Sequence, residues 1–440
     1  MISEEDLDSN APKLNGRKEG TFVFITIKDR WPKIVARLAN DFCVKRAELL
    51  ESYGESADED IKAVNHGFAE LRYRMTTDKP LENIVDNYGN AGVWNTLLIN
   101  LRDKVGEDQV TWYRADWLFV ECYLYRKIFS IVFNSRLLRD YDYFAEQKQS
   151  SFKEHVPQIE ESASFLMSIV GEGAPAHETF GLVTMLKMCL WGNRADLSLS
   201  GGDRAVLAQS SMIASTKREN FILVDDLNTA LLNYIYPLHK KEKGTRRIDI
   251  VLDNAGVELM GDLILAEYFL SMGFADKVVL HGKEFPYFVS DTTKGDFDWT
   301  LEQLKEAGEN CAKLQERLAQ RLEKGELVWN AHPFWTFPHA YFEMPTECPE
   351  LYEELKKASF AFFKGDLNYR KLVGDRDWDF ETPFVTTLRG FAPCPFLALR
   401  TLKAETLAGL SRETAIRVLD FEDNQWLVSG EYAVCQLGGI

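Results

Sequence analysis

Polar and apolar positions along this chain fall into two textures. From residue 21 to about residue 190, apolar side chains recur at spacings of three and four. That periodicity predicts helices over 31–52, 61–74, 94–105, 116–134 and 178–190. Strand signals are weak there, so residues 20–190 are expected to form a helical N-terminal domain. Residues 1–19 are polar and expected to be a disordered tail, and residues 2–7 also match the end of a common epitope tag.

After residue 190 the texture changes. A loop-like stretch, 191–202, leads into a small-polar segment at 209–217 with little apolar periodicity. Short β-rich runs then follow at 220–224, 248–252, 278–282, 327–329, 360–363 and 396–399. Helical patterns at 227–236, from Gly256 onward, at 298–324 and at 351–357 alternate with them. Strand and helix in alternation predict a largely parallel sheet covered on both faces, so residues 191–440 read as an α/β domain. No internal repeat is present.

Composition narrows the classes of function. The chain has 440 residues, 45% of them hydrophobic and 27% charged, which is ordinary for a soluble globular protein with a large core. A net charge of -17 argues against nucleic-acid or anionic-membrane binding, since both need a basic surface. A phosphate ligand fits only in a pocket where a cation or metal reverses the local sign. Seven cysteines, at 43, 122, 189, 311, 348, 394 and 435, include no CxxC pair. They read as reduced thiols in a cytoplasmic protein, with the nucleus left open. No apolar leader is visible at the N-terminus, so a signal peptide is not expected. The longest apolar stretch, 117–133, is interrupted by Glu121, Arg126 and Lys127, so no membrane span is expected.

The chemistry gathers at the strand ends. Asp253-Asn254 follows the 248–252 run, and Asp291-Thr292-Thr293 follows Phe288-Val289-Ser290. Asn330-Ala331-His332, then Lys364 through Arg370, then Arg400-Thr401-Leu402-Lys403 close three later runs. One strand ending in Asp signals no more than a helix cap. Five polar ends in one parallel sheet fall along the edge where ligands bind, and capping accounts poorly for all of them.

Two carboxylates and an amide oxygen suit a hard or borderline divalent ion such as Mg²⁺ or Mn²⁺. A closed zinc site is disfavoured, because no Cys/His ligand spacing is present; His332 stands out only for its strand-end position. Lys403, Arg370 and Arg400 are candidate phosphate partners. The N–H groups at the Gly256 helix start add an anion-binding end. Glu258, in that helix's first turn, reads equally as a dipole partner or a pocket group. Phe334, Trp335 and Phe337 read as core rather than as a wall for a sugar ring.

These residues resemble a known family. Val251 to Gly256, Val289 to Thr293, Lys364 to Leu372 and the Arg400-Thr401-Leu402-Lys403 motif are similar to the metal-dependent damage-control phosphatases. Within that family they resemble the eukaryotic branch also called acidic residue methyltransferase. Thr26 to Arg30, Glu121-Cys122-Tyr123 with Tyr125-Arg126, Trp191-Gly192-Asn193 and Asp196 to Gly202 match as well. The resemblance implies a helical N-terminal domain on a Rossmann-like α/β/α sandwich. It implies Asp253, Asn254 and Asp291 as metal ligands for Mn²⁺, Ni²⁺ or Co²⁺. It places Asp366, Leu367, Asn368, Tyr369, Arg370 and Lys403 on the substrate, with Asn193 and Asp196 at the pocket edge. Family substrates are small sugar phosphates such as fructose 1-phosphate and fructose 6-phosphate.

The expected reaction is phosphomonoester hydrolysis. Asp253, Asn254, Asp291 and Lys403 form the catalytic set, Glu258 joins the substrate-binding residues, and water or Asp253 itself is the nucleophile. The alternative, carried by the branch name, is S-adenosylmethionine-dependent methylation of protein glutamate carboxylates. Its usual glycine-rich loop is poorly matched: Asp253 to Gly256 offers one glycine, and Gly171-Glu172-Gly173 lies in the helical region.

Overall fold

A computed structural model describes residues 3–170, 178–192, 218–420 and 424–440. Its centre is a seven-stranded sheet built from β1 (Ile222–Asp225), β2 (Arg247–Val251), β3 (Lys277–Gly282), β4 (Leu327–Ala331), β5 (Phe360–Lys364), β6 (Phe396–Thr401) and β7 (Ala433–Gly438). The strand order is β1-β7-β6-β5-β2-β3-β4, and every neighbouring pair is parallel except β6 and β7. The α/β expectation therefore holds. The antiparallel β7 was not anticipated. Its sequence, Ala-Val-Cys-Gln-Leu-Gly, is short and carries little strand signal.

Register matters more than order for the site. Val251 of β2 lies opposite His281 of β3 and Phe363 of β5, while Lys364 lies opposite Leu399 of β6. The chain segments leaving β2, β3, β5 and β6 thus emerge side by side at one edge. Every residue of β5 and β6 is buried, as expected for strands covered on both faces.

The chain opens on the helices α1 (Glu4–Asn10), α2 (Trp31–Val44), α3 (Arg46–Tyr53), α4 (Ala57–Thr76) and α5 (Ala91–Val105). Next comes α6 (Trp117–Phe133), a helix buried almost all round. Its Arg126 is paired with Asp86 at 2.7 Å and 2.9 Å, which explains how a charge survives in that apolar run. Among the described residues no helix is long and apolar enough to cross a membrane.

Helices α7 (Ala145–Glu154), α8 (Val156–Val170) and α9 (Glu178–Gly192) pack differently from those before them. Phe152, Ile159, Leu166, Leu182 and Leu186 share a core with the sheet and with α10 (Val257–Ser271). These three helices therefore share the hydrophobic core of the sheet. Being covered on both sides, α10 is buried from Val257 to Leu270.

Three further expectations are corrected. The tail is not free over residues 4–11: Leu7 and Ala11 are buried, and the fully buried Arg376 donates to Asp8, Glu4 and the Ala11 carbonyl. The helix expected over 298–324 is two, α11 (Lys294–Leu304) and α12 (Glu309–Glu323), parted at Gly308 with φ of 152°. The helix expected over 31–52 breaks at Lys45. Two helices beyond the sheet's centre complete the frame used below, α13 (Pro349–Leu355) and α14 (Gly365–Val373).

Candidate active site

Asp253 and Asn254 leave β2 in a loop that zips against the loop carrying Asp291. Asn254 and Asp291 form an isolated antiparallel bridge, with the Thr292 N–H donating to the Asp253 carbonyl (2.8 Å) and the Ala255 N–H to the Ser290 carbonyl (2.8 Å). This backbone pairing brings the three expected ligands together. All three are at least 96% buried. The Asn254 amide donates to Asp253 Oδ2 (2.9 Å) and Glu258 Oε2 (2.8 Å), while Ser290 Oγ donates to Asn254 Oδ1 (2.6 Å).

The loop that aims Asp291 is not a strand end. Phe288 and Val289 have φ of 47° and 68°, a region that a β-branched residue rarely enters. Each such residue costs on the order of 1–3 kcal/mol, so surrounding structure must hold it. The Phe288 ring stacks on Tyr125 of α6 at 4.5 Å, and Phe285 on Phe129 at 4.3 Å. The Tyr143 hydroxyl donates to the Pro286 carbonyl (3.0 Å). The helical half of the protein thus fixes a loop of the α/β half.

Between the two halves lies a narrow cavity lined by Arg30, Trp117, Glu121, Asp253, Phe288, Asp291, Asp366, Leu367, Arg370 and Lys403. It offers about 20 Å³ of room for water centres, enough for an ion or a single water. Four of its lining residues are acids and three are bases. A divalent cation would turn the local formal charge from negative to positive.

Of the residues expected on the substrate, Asp366, Leu367, Arg370 and Lys403 line this cavity. Asp366 Oδ1 accepts from Arg400 Nε (2.7 Å) and from the Lys403 N–H (3.2 Å), which fixes where the Lys403 side chain starts. Arg400 is spent on that bracing: its other nitrogens donate to the Thr406 and Ala404 carbonyls, and it does not line the cavity. Arg370 is clamped by Asp375 and Glu121 and lies over the Trp117 ring at 3.7 Å.

Asn368 and Tyr369 point elsewhere. Asn368 Nδ2 donates to the Lys364 and Leu252 carbonyls, and its Oδ1 accepts from Tyr341. The Tyr369 ring stacks on Phe384 at 5.7 Å. Glu258 sits behind Asn254, away from the cavity lining. Phe334 and Trp335 are core residues, as expected. Asn193, Asp196, the 209–217 segment and Gly171 to Gly173 lie outside the described residues.

Sequence reasoning missed Arg30, Glu121, Trp117 and Lys283 as site residues. Arg30 ends a π-helical turn, Thr26–Arg30, of a kind common at functional sites. Its Nε is buried and finds no hydrogen-bond partner among the described residues. Glu121 accepts from Trp31 Nε1 (3.1 Å) and from Arg370. Lys283 Nζ lies 3.1 Å from Asp291 Oδ2. Only the Thr26–Arg30 and Glu121 segments carried any signal, through the resemblance.

A second buried charge group supports Asn254 from behind. Lys364 Nζ donates to Glu258 Oε1 and to Asp262 Oδ1, both at 2.8 Å. Burial works against the Lys364 ammonium, yet Asp262 and Glu258 outweigh it and raise its pKa. Burial pushes the Asp262 carboxyl up to about 6, with Lys364 opposing and Glu258 adding to the rise. The folded protein therefore holds this proton to about pH 6, whereas an unfolded Asp releases it near 3.8. Stability falls across that window as pH rises, and Asp262 adds no further dependence above it. Asp262→Asn is expected to destabilise the fold by on the order of 1–3 kcal/mol, because it takes one of two carboxylates from the buried Lys364 ammonium. Urea midpoints at about pH 8 measure this; an unchanged midpoint would refute it.

An open α/β sheet with an acid- and cation-lined cavity at its carboxyl edge is the frame of an enzyme that handles a small anionic ligand. Two buried carboxylates, Asp253 and Asp291, line room for one ion and suit a divalent cation; Asn254 is buried beside Asp253 but does not line the cavity. The sequence profile of the damage-control phosphatase ARMT1-like domain matches residues 26–418. The chain belongs to that family. "Damage-control phosphatase ARMT1" of Xenopus laevis is 38% identical over 435 residues, covering 96% of this chain and 98% of its own. The mouse protein of that name is 38% identical over 441 residues, covering 97% and 98%. The human one is 36% identical over 437, again covering 97% and 98%.

Proposed function

We propose that this member of a phosphatase family is a divalent-metal-dependent phosphomonoesterase acting on small sugar phosphates, fructose 1-phosphate and fructose 6-phosphate among them. The observation that carries the reading is the cavity where Asp253 and Asp291 face Lys403, Arg370 and Arg30 across room for a single ion. Asp253, Asn254 and Asp291 would hold that ion, Mn²⁺, Co²⁺, Ni²⁺ or Mg²⁺. When bound it supplies Lewis-acid polarisation of a phosphoryl oxygen and a water of lowered pKa.

The chain's own residues do the rest. The Lys403 ammonium, started in place by the Asp366–Arg400 brace, pairs with equatorial phosphate oxygens as charge builds on them. Arg370 is immobilised by Asp375 and Glu121, so its field reaches the ligand without reorganisation. Arg30 approaches from the helical half and supplies a bidentate donor for the phosphate or a sugar hydroxyl. The Asp253 carboxylate either takes the water proton or attacks phosphorus itself.

Phosphate release from a panel of sugar phosphates, run with each of the four metals and with chelator, tests this. Fructose phosphates should lead the panel, and chelation should abolish turnover. Turnover untouched by chelator would defeat the reading. Tight S-adenosylmethionine uptake by the metal-free chain, with no phosphate release, would favour carboxyl methylation instead.

A further inference from the structure

The chain folds a second set of metal donors outside the cavity that Asp253 lines. His332 leaves the edge strand β4, and Cys348 and Glu350 open α13, sixteen and eighteen residues later in sequence. The three offer an imidazole, a thiol and a carboxylate with all ligand atoms within 4.8 Å of one another. The closest approaches are 3.8 Å from Cys348 Sγ to His332 Nε2, 3.1 Å from Sγ to Glu350 Oε1, and 3.8 Å from Nε2 to Oε1. Tetrahedral zinc, with its usual bond lengths, spaces such donors about 3.3–3.6 Å apart. Three edges of that tetrahedron already exist to within about 0.5 Å.

We propose that His332, Cys348 and Glu350 form a site for a borderline transition-metal ion such as Zn²⁺ or Co²⁺, separate from the oxygen-donor centre. None of the three lines the cavity of Asp253. A thiolate and an imidazole select against Mg²⁺ and Mn²⁺, the reverse of the preference expected at Asp253, Asn254 and Asp291. On binding, the Cys348 thiol proton, now directed at Glu350, passes to solvent, and sulfur, nitrogen and oxygen each give one lone pair. Cys348 is buried and Glu350 exposed, so water completes the shell on the outer side. His332 Nδ1 accepts from the Phe334 N–H at 3.2 Å, so metal at Nε2 moves the ring proton to Nδ1 and gives up that long bond. The ion would fasten the exit of β4 to the start of α13, whatever reaction the chain performs.

Titration of the full chain with Co²⁺, in excess Mg²⁺, tests the site. A near-ultraviolet thiolate-to-cobalt charge-transfer band should rise to one equivalent. It should persist in Asp253→Ala and vanish in Cys348→Ser. Glu350→Gln, an exposed change that should fold, is expected to weaken Co²⁺ at least about tenfold while phosphate release stays intact. No band in the wild type, a band that survives Cys348→Ser, or unchanged affinity in both Glu350→Gln and His332→Gln would overturn the proposal.

Discussion

Alanine at Asp253 should leave a folded chain whose phosphate release falls by at least about 10³-fold. Its carboxylate lines the cavity opposite Lys403 and receives the Asn254 amide, so its loss removes one donor and misdirects another. The fold should not suffer. Four acids crowd this cavity, and in chelator the loss of one relieves repulsion rather than adding it. Metal linkage separates the two effects. At a hundredfold excess over Kd, Mn²⁺ should stabilise the wild type by about 2.7 kcal/mol and the variant by almost nothing. Melting curves with and without Mn²⁺ measure this beside turnover. A variant that melts normally, still gains stability from Mn²⁺ and retains metal-stimulated turnover would remove Asp253 from the centre.

The second large effect is expected at a residue with no side chain. Gly365 follows β5 with φ of 82°, and a Cβ there would stand 1.8 Å from Asp253 Oδ2 and 2.2 Å from its Cγ. Register explains the closeness, since Val251 and Phe363 are paired neighbours. Alanine at 365 must push the carboxylate aside by more than an ångström, a displacement worth about 10² in rate. It also adds about 1–2 kcal/mol of left-handed backbone strain. Gly325→Ala isolates the strain, because Gly325 has φ of 69° with nothing within 4 Å of its Cβ position. Turnover should collapse in Gly365→Ala and survive in Gly325→Ala. Equal turnover in both variants would show that the contact with Asp253 is immaterial.

Much of the sheet could be read from the chain, because buried parallel strands are near-continuous apolar runs and their polar exits stand out. Asp253-Asn254 were visible for that reason, whereas Asp291 follows an apolar run that folds as a strained loop and not as a strand. What was hidden depends on three-dimensional turns. Arg30 reaches the cavity through a π-helical turn more than two hundred residues before Asp253, and no local periodicity marks it. Helical geometry also limits the 366–370 motif. At 100° per residue, Asp366, Leu367 and Arg370 share a face while Asn368 and Tyr369 turn into the protein. The His332, Cys348 and Glu350 group has no tandem ligand spacing in the sequence; two 3₁₀ turns and a short helix between residues 333 and 347 bring its donors together.

The strained pair Phe288 and Val289 bears on how this protein can be made. The aromatic shelf of α6 that holds the pair lies some 160 residues earlier in the chain and shares one hydrophobic core with it. A fragment starting at residue 191 would lack that shelf. Its Val289 would relax to an ordinary conformation and carry Asp291 out of register with Asn254. The sheet alone is not a transplantable catalytic unit.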